Sequence, residues 1–169
     1  MIHLINGRGQ LGEELKKALG DVKTSTEVCV YHTWNVQDKS EKAQEEEYIK
    51  FQAFVDTHSS SKIMFISTKS QRETWYTHYK QLAEAYIILY CNEVIIARLP
   101  TIVGKGVVEK FESGDAEPYG TMELITIERA AREVIALCSY TGPRKSFDIA
   151  GDIVSAELVY NLVRRKQNV

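Results

Sequence analysis

The chain is poor in cysteine. Cys29, Cys91 and Cys138 are odd in number, far apart and outside any CxxC or Cys/His ligand spacing, so neither a disulfide framework nor a zinc site is signalled. Reduced thiols are the expectation. Long apolar runs are also missing: the longest uncharged one, residues 85–91, falls far short of the ~20 residues a bilayer span requires. The amino-terminal residues lack the basic region followed by an apolar stretch that marks a secretory signal. No sign of charge dominates, since 21 basic against 23 acidic residues leave a formal net charge of -2. That balance supplies no bulk drive toward nucleic acid or an anionic membrane. No period of 20–50 residues repeats, and nothing is low in complexity. The expectation is a cytoplasmic globular protein without nucleic-acid or membrane partners.

What is present is an alternation of short apolar runs with helical patterns. Residues 2–6 are rich in β-formers and are broken by Gly7-Arg8-Gly9. From Gln10 onward Leu11, Leu15 and Leu19 recur four apart, with Gly20 as a stop. Residues 28–32 read as a second strand. A helix over about 41–57 follows, with Tyr48, Phe51, Phe54 and Val55 on its apolar stripe. Residues 62–67 (KIMFIS) form a third strand, 73–91 a second long helix, and 93–99 a strand stopped by Pro100. Later signals are a short helix at 107–112, a firmer one at 128–138, a brief strand at 147–149 and a terminal helix at 155–165 capped by Ser155. Strands alternating with helices call for a parallel sheet covered on both faces. The fold class is α/β, doubly wound and Rossmann-like with a reduced number of strands. At 169 residues one domain spans the chain.

Three features carry chemistry. Gly7-Arg8-Gly9-Gln10-Leu11-Gly12 matches G-x-G-x-x-G, between a strand and an amphipathic helix. Glycine permits the tight turn and close approach of a pyrophosphate, and free N–H groups at Gln10 and Leu11 would bind the anion. A glycine-rich turn that only brings helix and strand together is the competing reading. An acidic residue is expected ~20 positions on, at the end of the second strand. That strand ends at His32-Thr33-Trp34, without a carboxylate, and Glu27 and Asp38 lie at the wrong places. Tyr76 and Lys80 form Y-x-x-x-K, which puts phenol and ammonium on one helix face. An adjacent cation stabilises a phenolate, whose ordinary pKa of about 10 makes tyrosine a poor base at neutral pH. Nine tyrosines and thirteen lysines make such a pair unremarkable by chance, so its value comes from placement. Ser67, Thr68 and Ser70 close the preceding strand, where a hydroxyl could meet a substrate oxygen or simply bond the local backbone. His32 reads as a packing histidine with its nitrogens satisfied, and Cys29 as a small buried hydrophobe.

The order GRGQLG, FIST, Tyr76-x-x-x-Lys80 with Glu84, ARLPTIVGKG, then ITIERAA and FDIAGDIVSAELV resembles the extended short-chain dehydrogenase/reductase family. Its nearest-looking branch holds the nucleotide-sugar epimerases, dehydratases and dTDP-4-dehydrorhamnose reductases. The resemblance implies NAD or NADP as cofactor and a nucleotide sugar as substrate, with hydride exchange coupled to proton transfer. Tyr76 would be the acid/base, Lys80 would lower its pKa and hold the nicotinamide ribose, and Thr68 would orient substrate, with Ser67 and Ser70 as substitutes. Gly7, Gly9 and Gly12 would cradle the pyrophosphate, and Arg98 and Thr101 would lie toward the sugar nucleotide. Residues ~105–169 would correspond to a reduced substrate-side portion. The helices at 41–57 and 73–91 carry aromatics that read as exposed, Tyr48, Phe51, Tyr86 and Tyr90, and the family tends to pair through these two helices, which implies a homodimer. The chain departs from the family in length. Residues 28–32 look like its fourth strand rather than its second, as though the β–α–β piece that reads adenosine were deleted. Thr68 and Tyr76 are only eight residues apart, and Asn6 stands where the first glycine is common. The alternative is a non-catalytic nucleotide-binding or scaffold protein that keeps the fold.

Overall fold

The structure, a computed structural model, describes residues 1–5, 9–19, 27–114 and 116–167. In chain order it consists of β1 (Ile2–Ile5), α1 (Gly9–Leu19), β2 (Val28–Tyr31), α2 (Glu41–His58), β3 (Lys62–Thr68), α3 (Trp75–Tyr90), β4 (Val94–Leu99), β5 (Thr101–Ile102), α4 (Lys105–Glu112), β6 (Thr121–Ile125), α5 (Ile127–Cys138), β7 (Ser146–Asp148), β8 (Asp152–Ser155) and α6 (Ala156–Gln167). Five strands form a parallel sheet in the order β1-β2-β3-β4-β7. The α/β, Rossmann-like expectation holds, with few strands. A second, three-stranded sheet of order β5-β6-β8, antiparallel between β6 and β8, has no counterpart in the sequence reading.

The helices start where hydroxyls can cap them. Ser40, Thr74 and Thr126 each accept a hydrogen bond from the backbone N–H three residues on, which satisfies a donor the helix leaves open. Apolar spacing then decides the buried face. Leu15 of α1 joins Ala130, Ala131 and Val134 of α5 over one face of the sheet, with Val30, Met64, Ile66, Ile95 and Ala97 beneath. On the other face Phe51 and Val55 of α2 and Ala83 and Ile87 of α3 cover Tyr31, Ile63, Phe65 and Ile96. The alternation of 64 and 66 against 63 and 65 is the period of two that sends successive side chains to opposite faces. Because β3 is covered on both sides, its whole sequence can be apolar.

This arrangement has a topological consequence. From β1 to β2 and from β2 to β3 the chain steps the same way across a parallel sheet, yet α1 lies on one face and α2 on the other. The two crossovers must have opposite hands, although about 98% of such units are right-handed. The arrangement leaves consecutive strands whose following helices depart to opposite faces, the geometry that opens a crevice at the carboxyl edge.

The end of α5 is held from below by a buried cation. Lys62 Nζ donates to the carbonyls of Cys138 at 3.0 Å and Tyr140 at 2.5 Å, occupying acceptors that the last helical turn leaves open. Lys62→Met should therefore lower unfolding stability by about 2 kcal/mol, measured by urea denaturation. An unchanged midpoint would show that the clamp contributes nothing.

Candidate functional site

The carboxyl edge of the sheet gathers β2, β3 and the start of α3. Lys62–Thr68 ends in two hydroxyls, a short loop follows, and Thr74 starts the helix that carries Tyr76, Thr77, Lys80 and Glu84 along one side. Between them lies a polar cavity of about 240 Å³, walled by Ser67, Thr68, Ser70, Lys80, Glu84 and Arg98 among others.

Thr68 hydrogen-bonds the Tyr76 phenol. Burial nevertheless dominates and pushes that phenol up to about 12, the bond from Thr68 offsetting only part of it. Lys80 comes within 5.9 Å of the Tyr76 ring centre, so the three residues singled out as catalytic do converge. Their electrostatics differ from the expectation. The ammonium is 3% exposed and donates to the Ile66 carbonyl at 2.7 Å. It also sits 4.5 Å from the Trp34 ring centre and 4.6 Å from that of Phe65. Desolvation brings Lys80 down to about 7, against the raising effects of Glu84 and Glu47. A lysine that is only partly charged at neutral pH cannot hold the phenol low.

Trp34 is fixed in turn by Gln44. This fully buried amide accepts from the indole N–H at 2.8 Å and donates to the carbonyls of Asn35 at 2.9 Å and Asp38 at 2.6 Å. Every polar atom of the amide is thereby used, which is what permits it in a core. The sequence reading passed over Trp34 and Gln44, because their meeting depends on how α2 docks rather than on spacing.

The substrate-side expectations divide. Ser67 is 5% exposed, lines the cavity, and its hydroxyl has no partner among the described residues. Arg98 lines the cavity too, but its guanidinium is bonded to Glu84 through Nε (3.0 and 3.1 Å) and Nη2 (2.6 Å), with Asp148 at 3.4 Å. It holds the cavity wall together and is not free to reach a ligand. Ser70 donates its N–H to Thr68 Oγ1 at 3.1 Å, a local turn bond beside the same cavity. Thr101 lies outside the cavity wall, and its hydroxyl accepts from Lys110 Nζ at 2.9 Å. The satisfied histidine also needs correcting: His32 Nε2 is buried and has no partner among the described residues. Burial, and then the charges of Lys16 and Lys80, lower its pKa and favour the neutral ring.

The glycine turn is described in part. Gly7 lies outside the described residues. Gly9 opens α1 at φ 85° with open space where a side chain would be, a conformation that favours glycine. Gly12 is buried in α1. Gln10 and Leu11 occupy the first helical turn, and the Gln10 amide packs where a Cβ on Gly104 would come within 2.7 Å. Neither acid weighed from the sequence stands at the carboxyl end of β2: Glu27 pairs with His3 at its amino end, and Asp38 accepts from Ser40 N–H. The carboxylate near that end comes instead from α2, where Glu47 accepts from Asn35 N–H at 3.3 Å. Phe51, read from sequence as exposed, is fully buried.

Unpartnered polar atoms on His32 and Ser67, at the ends of adjacent strands, together with a glycine at the helix start, fit a ligand rich in hydroxyls and anionic oxygens. Among the described residues there is no cluster able to hold a metal ion, and no helix is long and apolar enough to cross a membrane.

Three solved structures share this architecture. A dTDP-4-dehydrorhamnose reductase from Clostridium acetobutylicum superposes with a TM-score of 0.75 at 16% identity, covering 99% of this chain and 80% of its own. The enzyme WbmG of Bordetella bronchiseptica, in complex with NAD and UDP, gives 0.70 at 12% identity over 99% and 78%. A nucleoside-diphosphate-sugar epimerase from Staphylococcus aureus gives 0.70 at 12% identity over 99% and 77%. At these identities the likeness establishes a Rossmann-like fold shared with nucleotide-sugar enzymes. No family model matches the chain, and no curated protein matches it in sequence.

Proposed function

We propose that the chain is an NAD(P)-dependent oxidoreductase or epimerase of the short-chain dehydrogenase/reductase type acting on a nucleotide sugar in the cytoplasm. The observation that carries the reading is the convergence of Tyr76, Thr68 and Lys80 beside a polar cavity at the carboxyl edge. Gly9, the first turn of α1 around Gln10, Leu11 and Gly12, and Lys80 would hold the dinucleotide, with Gly7 completing the turn. Nicotinamide, when bound, supplies or accepts the hydride. The chain's own part is to seat the sugar against Ser67 and Thr68, exclude water, and manage a proton at the Tyr76 oxygen. A phenol kept protonated is suited to give its proton to an oxygen that gains negative charge, so reduction of a carbonyl is the direction the resting site favours. Residues ~105–169 would form the substrate-side portion.

A titration with NAD, NADP, UDP and dTDP tests the reading through thermal unfolding. A ligand at a hundred times its Kd raises stability by about 2.7 kcal/mol, which shifts the midpoint by several degrees for a chain this size. No shift with either dinucleotide at millimolar concentration removes the oxidoreductase.

The second reading, a nucleotide-binding or scaffold protein without turnover, draws on one observation: the Lys80 ammonium is already spent on the Ile66 carbonyl and two aromatic faces. Under it, a dinucleotide shift appears without hydride exchange.

We also propose a homodimer through α2 and α3. Ile49, Leu89 and Tyr90 are 56%, 77% and 60% exposed, and apolar side chains of this size favour contact with a second copy. Light scattering at micromolar concentration should give twice the 19.2 kDa chain mass; a monomer mass rejects the pairing.

A further inference from the structure

The polar cavity has a neighbour. A second cavity of about 500 Å³ shares Gln71, Thr77 and Gln81 with it as walls, so the two adjoin as an inner and an outer trough along the start of α3. The chemistry changes from one to the other. The inner end combines hydroxyls and amides with Lys80 and the paired Glu84 and Arg98, and the unpartnered, nearly fully buried Ser67 Oγ is among its lining atoms. The outer end is walled by Arg72, Trp75 and His78, along with the opposing carboxylate of Glu73. Trp75 is 45% exposed, with its ring set edge-on to His78 at 5.9 Å. The Arg72 guanidinium has no hydrogen-bond or ion-pair partner among the described residues; only its backbone is bonded, the N–H to Ser70 Oγ and the carbonyl to Thr74 N–H. The amino end of a 16-residue helix adds partial positive charge there.

A polyol end running into a cationic and aromatic end matches one ligand class by its parts. We propose that the outer trough seats the nucleoside diphosphate half of the substrate, with the base stacked on Trp75 and the diphosphate reached by Arg72 and His78. This rests on the reading that the ligand is a nucleotide sugar, and it assigns the nucleotide to the shortened loop between Thr68 and Tyr76. The sugar then lies inward, toward Ser67 and Thr68. Glu73 limits the net attraction for phosphate, so the base carries much of the recognition.

Calorimetric titration of the full chain with UDP, dTDP, uridine and inorganic pyrophosphate tests the assignment without cofactor or turnover. Trp75→Leu should weaken UDP and dTDP on the order of tenfold, the loss of one base–aromatic stack, while leaving the thermal midpoint and the affinity for NAD unchanged. Arg72→Gln should weaken UDP by about fivefold and leave uridine unaffected; being exposed, it keeps the test alive if Trp75→Leu folds poorly. Trp75→Tyr should restore most of the affinity. Equal UDP binding by wild type and Trp75→Leu overturns the proposal, as does pyrophosphate binding as tightly as UDP, or UDP failing to bind at all. If a dinucleotide binds and UDP does not, the subsite fails and the oxidoreductase reading stands. If UDP binds through Trp75 and neither NAD nor NADP binds, the oxidoreductase reading fails and the subsite stands.

Discussion

Tyr76→Phe is expected to lower turnover by about a thousandfold while leaving fold and cofactor affinity nearly intact. General acid–base groups contribute typically about 10²–10⁴ in rate, and the neighbouring phenol is not placed to substitute. Tyr79 follows on another side of α3 and packs against Tyr48 at 5.9 Å, away from Thr68. The variant keeps the ring that packs beside the aromatic core and loses the hydrogen bond to Thr68, a change of about 1 kcal/mol in stability. Thr68→Val separates orientation from proton transfer: it should raise KM and slow turnover less than Tyr76→Phe does. Steady-state assays with a nicotinamide absorbance readout check both. Equal activity in Tyr76→Phe would remove the phenol from the chemistry and leave the second, non-catalytic reading or another acid.

The fate of each sequence expectation follows from what kind of information it needed. The central strands of the main sheet were legible because they are buried on both faces, so each holds a compact apolar run, at 28–31, 63–66 and 94–97. The second sheet was not, since Thr121–Ile125 and Asp152–Ser155 are short and polar in part, the first buried only at Leu124 and Ile125 and the second exposed along most of its length. Their pairing is held by contacts distant in sequence. Glu123 Oε1 accepts from Lys69 Nζ at 2.6 Å and from Gly151 N–H at 2.8 Å. At Gly151 an added Cβ would meet the Leu124 carbonyl at 2.5 Å. No local pattern announces either.

The site divides the same way. Tyr76 near Lys80 needs only the helical repeat, and Thr68 near Tyr76 needs only a strand that ends where a helix begins. The state of those groups needs the surroundings. Phe51 on a helical stripe could face core or partner, and α2 turns it to the core, where its ring centre lies 4.5 Å from that of Phe65. The same docking brings Gln44 to Trp34 and Trp34 to Lys80, which makes the expected partner of the phenol a buried amine. Likewise Arg98 and Thr101 fall on the right edge of the sheet, but Glu84, Asp148 and Lys110 claim their polar atoms first.

Lys80 supplies the other large effect, and it concerns stability against pH. Its ordinary pKa of 10.5 falls to about 7 in the folded chain, chiefly through burial. Below pH 7 both folded and unfolded chains carry the charge, and the folded state bears the whole cost of burying it. Between 7 and 10.5 the unfolded chain binds more protons, so stability rises with pH; above 10.5 it levels. At 1.36 kcal/mol per pKa unit the rise amounts to about 5 kcal/mol, a large share of the 5–15 kcal/mol typical of a domain. Tyr76, raised to about 12, acts in the opposite sense and only at higher pH, contributing stability below 10 that is lost as pH climbs toward 12. Lys80→Met should therefore be more stable than the wild type near pH 6, by less than the full amount because the Ile66 carbonyl loses its donor. Between pH 7 and 10 the advantage should shrink as the wild type gains. Guanidinium unfolding of both proteins at pH 6, 8 and 10 measures the difference directly. Two parallel stability curves would mean that Lys80 titrates as an ordinary surface lysine, and that the aromatic faces of Trp34 and Phe65 do not exclude water from it.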